Sequence, residues 1–257
     1  MKKIITIVLT VLVFLSAVFI GVSNVYRVDG VTVVAKTYSD EAKTEATQMQ
    51  KELQEAYKGE SVLFAKEDLA LTVLEKYPYF RLTKFEKRYP DVLCIEATED
   101  AEVFAAQTQN GYYILAQDGT ILDIRDDSNN RADGEENVVI TGGNPVGEIG
   151  DKVSGAGFNE LLKMCVIMSE KLNGVRSNIA NIVFDNVEEG GRIFLCMREG
   201  VRINVVHAHL LTEEKARLFT EKYLALNDEE RLTGFIHATE SMDGTSALIT
   251  YRANDLI

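Results

Sequence analysis

One stretch constrains this chain more than any other. After Lys2 and Lys3, residues 4–22 contain no charge and no proline. In a helix at about 1.5 Å per residue this run rises roughly 28 Å, close to the ~30 Å hydrocarbon core of a bilayer. It therefore reads as a single N-terminal transmembrane helix over 4–23. The basic pair precedes the run and Arg27 is the first charge after it. The positive-inside rule then puts residues 1–3 in the cytoplasm and everything after about residue 26 outside, a single-pass type II arrangement in the cell membrane. The alternative is a cleaved signal peptide, for which Gly21 and Ser23 supply a small-x-small site, although the run exceeds the roughly 7 to 15 residues of the usual apolar region. Both readings export residues 27–257.

The exported part has the means to fold. With 257 residues in all and 46% of them hydrophobic, the chain can bury a core and form one or two compact domains. Its formal net charge of −13 opposes binding to nucleic acid and to anionic headgroups, both of which attract clustered Lys and Arg. Cys94, Cys165 and Cys196 form no CxxC and no Cys/His pair at metal-ligand spacing, so they read as small core residues. A Cys94–Cys196 bridge in an oxidising compartment is left open by the sequence.

Residues 26–34 read as a Val-rich strand with Gly30 allowing a bend. Ser39 is a good N-cap, and Ala42, Ala46, Met49, Leu53 and Ala56 recur at helical spacing up to Gly59. A shorter helix is expected over 66–77, stopped by Pro78. Strands follow at 80–87 and 92–98, separated by a turn at Arg88-Tyr89-Pro90-Asp91. The order of this first region is β-α-α-β-β. Beyond it, short strands are expected at 103–107, 112–116 and 120–124, the last two joined around Gln117-Asp118-Gly119. The acidic stretch 126–137 reads as a mobile loop with almost nothing to bury. A helix over 158–173 ends before Gly174. Strands at 179–184, 192–198 and 201–206 are separated by Glu188-Glu189-Gly190-Gly191 and by Glu199-Gly200. Thr212 caps a helix reaching about residue 227, and last strands are expected at 234–238 and 246–251, with a loose tail at 252–257.

A nucleophile needs a base held within reach, and neither GxSxG nor SxxK occurs. His207 and His209 alternate near Glu213 and Glu214 and could suggest a metal, but they read as a polar junction between strand and helix. His237, inside an apolar strand, reads as a structural histidine. Asp126, Asp127, Asn129, Asn130 and Asp133 lack the register of a calcium loop. Gly155-x-Gly157 lacks the third glycine of a dinucleotide site. The expectation is a non-enzymatic chain with no catalytic residue, cofactor, metal or small-molecule substrate.

Several segments, in order, resemble the FtsQ/DivIB family of cell-division proteins. Tyr26-Arg27-Val28-Asp29-Gly30 is similar to that family's first strand, and Gly59-Glu60-Ser61-Val62-Leu63-Phe64 to its "g-x-n-l-f" segment between two helices. Leu74 to Phe80 resembles the helix end and following "P-x-V". Arg88-Tyr89-Pro90-Asp91-Val92-Leu93-Cys94-Ile95-Glu96-Ala97 resembles "r-x-P-d-t-l-x-I-x-V", and residues 113–122 the "y-l-i-D-x-x-G-x-v-l" hairpin. Gly200-Val201-Arg202-Ile203 and Lys215 resemble the late strand and following helix. Two places depart: no proline follows Glu99 and Asp100, and Ile236-His237 stands where members often carry Ile-Asp.

The resemblance implies an α+β fold class: a transmembrane helix, a POTRA domain over 24–98, a larger mixed β-sheet domain with packed helices over 99–251, and a tail over 252–257. It implies a scaffold at the division septum that binds bitopic coiled-coil division proteins of the FtsL and DivIC/FtsB type and, with them, the septal peptidoglycan synthase complex. Partner binding through late strands points to Ser246, Ala247, Leu248, Ile249, Thr250 and Tyr251, because a terminal strand offers unpaired backbone groups for strand addition. The other readings are an exported POTRA-type assembly or secretion module, for which no run of barrel strands is present in the sequence, and an exported enzyme of unrecognised mechanism.

Overall fold

The computed structural model describes residues 2–185, 192–241 and 245–253; within the first helix, side chains are described for residues 9–21 and 25. The chain divides into two compact units, Met1–Asp100 and Ala101–Ile257.

The first unit begins with α1 (Lys2–Val25). Its described apolar side chains, such as Leu12, Phe14 and Phe19, are exposed. The expected transmembrane helix over 4–23 is corrected here. Among the described residues no helix is long and apolar enough to cross a membrane. The described stretch 9–21 rises only about 20 Å against the ~30 Å required. The side chains of residues 4–8, 22 and 23, which the expectation also counted, lie outside the described ones.

After α1 come β1 (Gly30–Lys36), α2 (Asp40–Ala56), α3 (Glu67–Leu74), β2 (Phe80–Arg88) and β3 (Val92–Glu99). The strands form one sheet in the order β1-β3-β2, with β3 parallel to β1 and antiparallel to β2. Residues 26–28 do not extend β1. They pair instead with the segment between the helices: Val62 N donates to Tyr26 O at 2.7 Å and Val28 N to Glu60 O at 2.9 Å. The start of α2 is fixed from the sheet. Ser39 Oγ accepts from Ala42 N, while Ser39 N and Oγ donate at 3.0 and 2.7 Å to the carboxylate of Glu99, the last residue of β3. One carboxylate thus supplies acceptors to backbone that would otherwise be buried without partners. Met49 and Leu53 of α2, Ala70 of α3 and Leu93, Ile95 and Ala97 of β3 are fully buried and form the core.

The second unit is an α+β arrangement around a large mixed sheet. Its elements are β4 (Glu102–Thr108), β5 (Gly111–Ala116), β6 (Ile121–Arg125), β7 (Val138–Thr141), α4 (Phe158–Leu172), β8 (Ile179–Asp185), β9 (Arg192–Met197), β10 (Arg202–Val206), α5 (Thr212–Leu224), α6 (Asp228–Arg231), β11 (Phe235–Glu240) and β12 (Ala247–Arg252). Nine strands run in the order β12-β11-β10-β9-β8-β7-β4-β5-β6. Three pairs are parallel, β10 with β11, β4 with β7 and β7 with β8, and the rest antiparallel. Phe158, Leu161, Met164 and Met168 of α4 and Ala216, Phe219 and Tyr223 of α5 share one buried cluster with Phe104, Ile140, Ile182, Leu195 and Ile203 of the strands. Both helices therefore cover one face of the sheet.

The acidic stretch before β7 departs from its expected character. Asn130 and Asn137 are 3% and 1% exposed, and both are tied to Glu102, whose side chain is 1% exposed. Asn130 Nδ2 donates to Glu102 O at 3.0 Å and to Asn137 Oδ1 at 2.9 Å; Asn137 Nδ2, Arg131 N and the Arg125 guanidinium all donate to Glu102 Oε2. Polar side chains, not apolar ones, give this loop something to bury. The turn expected at 188–191 and the tail residues 254–257 lie outside the described residues.

Candidate docking edge

Among the described residues, β12 is the last strand in order on its side of the sheet, paired with β11 alone. Residues 247–251 of the expected partner segment lie within it; Ser246 stands one residue before the strand, its carbonyl accepting from Ser241 N at 2.9 Å. That bond sets the phase of the ladder. In antiparallel pairing, hydrogen-bonded and non-hydrogen-bonded pairs alternate. Counting from Ser241 and Ser246, the pairs Thr239–Leu248, His237–Thr250 and Phe235–Arg252 are hydrogen-bonded. Ala247, Ile249 and Tyr251 then direct their N–H and C=O groups away from β11, along the outer edge of the sheet.

The side chains of β12 divide by the same parity. Ile249 and Tyr251 pack against the core, and Tyr251 Oη donates to Thr233 O at 3.2 Å. Leu248 lies on the opposite face and is 66% exposed. The approach to β11 is unusually close: Gly234 has φ +86, and a Cβ there would sit 2.5 Å from Arg252 O and 2.8 Å from the Tyr251 ring. Only glycine suits both the left-handed backbone and that gap.

On the face opposite the helices, register gathers residues that no local pattern joins. Cys196, Arg202, Phe235 and Arg252 make one row across β9 to β12, and Phe194, Asn204, His237 and Thr250 the next. The Arg202 guanidinium lies 5.8 Å from the Phe235 ring centre, and Phe235 stacks on His237 at 5.7 Å. Asn204 Nδ2 donates to His237 Nδ1 at 3.2 Å, so His237 belongs to a polar row on a half-buried face. Arg202 and Arg252 form no ion pair among the described residues, in a chain whose net charge is −13. Among the described residues, Arg252 at the end of β12 and Arg202 two strands inward thus put two guanidiniums without carboxylate partners on one face of the sheet. Arg252, expected at the start of a loose tail, is instead the last residue of β12, and its meeting with Arg202 depends on strand order.

The edge is braced at its start by Lys215, which is fully buried. Its Nζ donates to Val206 O at 2.9 Å and His207 O at 3.0 Å and forms an ion pair with Glu240, the partner of Ala247 in register. His207 Nδ1 donates to the same carboxylate at 2.8 Å. Burial alone would raise the Glu240 carboxyl, but hydrogen bonds from Lys215 and His207, with their charges, hold it below the usual carboxylate range. Lys215 thus ties the end of β10, the end of β11 and the start of α5 together. His207 and Leu211, with φ 45 and 52, occupy left-handed backbone in that junction. His207 and His209 lie with ring centres 6.4 Å apart, and among the described residues no group of three His, Cys, Asp or Glu side chains could hold a metal ion.

In the acidic loop, Asp127 Oδ1 accepts from Asn129 N at 2.9 Å. Asp133 pairs with Arg176, whose hydrogen bond keeps the Asp133 carboxyl low. All three cysteines are free thiols, Cys94 and Cys165 buried and Cys196 half-buried. Burial pushes the Cys165 thiol up to about 12 and raises that of Cys196, which leaves neither with thiolate character near neutral pH. No family model matches the chain, and no curated protein matches it.

Proposed function

We propose that this protein is a non-enzymatic docking scaffold of a bacterial cell-division complex, of the FtsQ/DivIB kind. It accepts an extended segment of a bitopic coiled-coil division protein, of the FtsL or DivIC/FtsB type, as a further strand along β12 and so supports the septal peptidoglycan synthase complex. The observation that carries this reading is the outer edge of β12, where Ala247, Ile249 and Tyr251 present backbone donors and acceptors that no strand of the sheet takes up. Main-chain hydrogen bonds supply affinity in strand addition, and side chains along the edge supply selectivity. Leu248 offers the incoming strand an apolar neighbour, and Arg252 and Arg202 favour acidic residues on it.

The test is crosslinking-assisted recovery of the full-length protein from its native cells, wild type beside Leu248→Lys. Leu248 is exposed, so the variant folds and melts like the wild type. The expected result is recovery of coiled-coil division proteins with the wild type and at least about a tenfold loss with the variant. Recovery of no division protein, or undiminished recovery with the variant, contradicts the reading.

A further inference from the structure

A second feature of the unit Ala101–Ile257, independent of β12, is a cleft of about 700 Å³ at the tip of the β4–β5 hairpin. Its volume falls within the roughly 300–1,000 Å³ of small-molecule sites. Gln107, Gln109 and Asn110 line it from the hairpin and Asn144 from the loop after β7. These four side-chain amides make no hydrogen bond within the protein among the described residues. Thr108 fixes the turn that presents them: its hydroxyl donates to Gly111 O at 3.1 Å and accepts from Asn110 N at 3.2 Å. Asn144 is held in left-handed backbone, φ 45.

The rest of the lining is apolar or aromatic. Tyr113 and buried Pro145 contribute flat surfaces, and Ile124 and Val146 are 49% and 57% exposed at the rim. None of the ten lining residues is charged, although 26% of the chain is, so two or three charges would be expected from composition alone.

That combination selects a ligand class. A charged ligand would leave its charge unpaired, and a purely apolar one would strip water from the amides without replacing it. Each amide offers two donors and an acceptor. The matching chemistry is a ring whose hydroxyls both donate and accept and whose C–H faces are apolar enough to lie on Tyr113 and Pro145. We propose that this cleft binds an uncharged carbohydrate.

The experiment is calorimetric titration of the full chain with two uncharged probes, the β-linked tetramer of N-acetylglucosamine and the α-linked tetramer of glucose. The comparison protein carries Gln109→Ala with Asn144→Gly. Gln109 is exposed and glycine relaxes the left-handed backbone at 144, so this variant keeps the wild-type melting temperature. The proposal expects saturable binding of at least one tetramer, weakened at least about tenfold in the variant. The tetramer that binds more tightly identifies the source, acetamido sugar or plain glucan. Binding of neither probe, or equal binding by wild type and variant, overturns the proposal.

Discussion

Among single residues, Lys215 carries the heaviest structural duty. A fully buried ammonium is tolerated only where its donors are met, and Lys215 meets two carbonyls and a carboxylate. Lys215→Met should cost about 3 kcal/mol, because Glu240 and the two carbonyls lose their donor; urea denaturation at neutral pH measures it. The same pair sets a pH dependence. The folded Glu240 carboxyl lies below its ordinary value near 4.5, so its contribution is present above that value and is lost as pH falls through the folded one. The stability gap between wild type and Glu240→Gln should therefore narrow on acidification from pH 7 to below about 4. Gly234→Ala should cost at least about 2 kcal/mol in the same assay, since its Cβ would meet Arg252 O and the Tyr251 ring. Lys215 was partly legible: it shares the i, i+4, i+8 stripe of Phe219 and Tyr223, which are buried. A lysine on an apolar stripe signals a partner inside, but the partner's identity, Glu240 across a strand crossing, does not follow from spacing.

At the scale of elements, periodicity was plainer than capping: Thr212, expected to cap, is the first residue of α5 and its hydroxyl donates to Ala208 O at 2.7 Å, and the helix ends at Leu224, with Asn227 capping the separate α6. Ser39 announced α2, and the apolar stripe from Phe158 to Leu172 announced α4. What spacing could not show was β7, four residues directly behind an acidic run. It is legible only once β4 and β8 are placed on either side of it. The run carries few apolar side chains to signal burial, and Asn130 and Asn137 are buried instead through Glu102. Glu102→Ala should remove about 3 kcal/mol and open the loop, so that limited proteolysis cuts between residues 126 and 137 in the variant and spares the wild type. Equal resistance of the two would show that the loop is held by other contacts, such as Arg176 with Asp133.

For the molecule as a whole, the sequence disclosed most elements, β7 and α6 excepted, but not the order in which strands meet. The nine-stranded order places the last strand of the chain at one end and β6 at the other. That order joins Arg202 to Arg252 across Phe235 and leaves the outer side of β12 without a strand beside it among the described residues. The expected membrane span, argued from an uncharged run, met a described apolar stretch too short to cross. The proposed scaffold role rests instead on the edge. It is tested most directly by amide hydrogen exchange of the full chain with and without the extracytoplasmic segment of a coiled-coil division partner. The account predicts new protection at the outward amides of Ile249 and Tyr251, with those of Leu248 and Thr250 already protected by β11. Partner binding that leaves Ile249 and Tyr251 exchanging freely would contradict strand addition at β12.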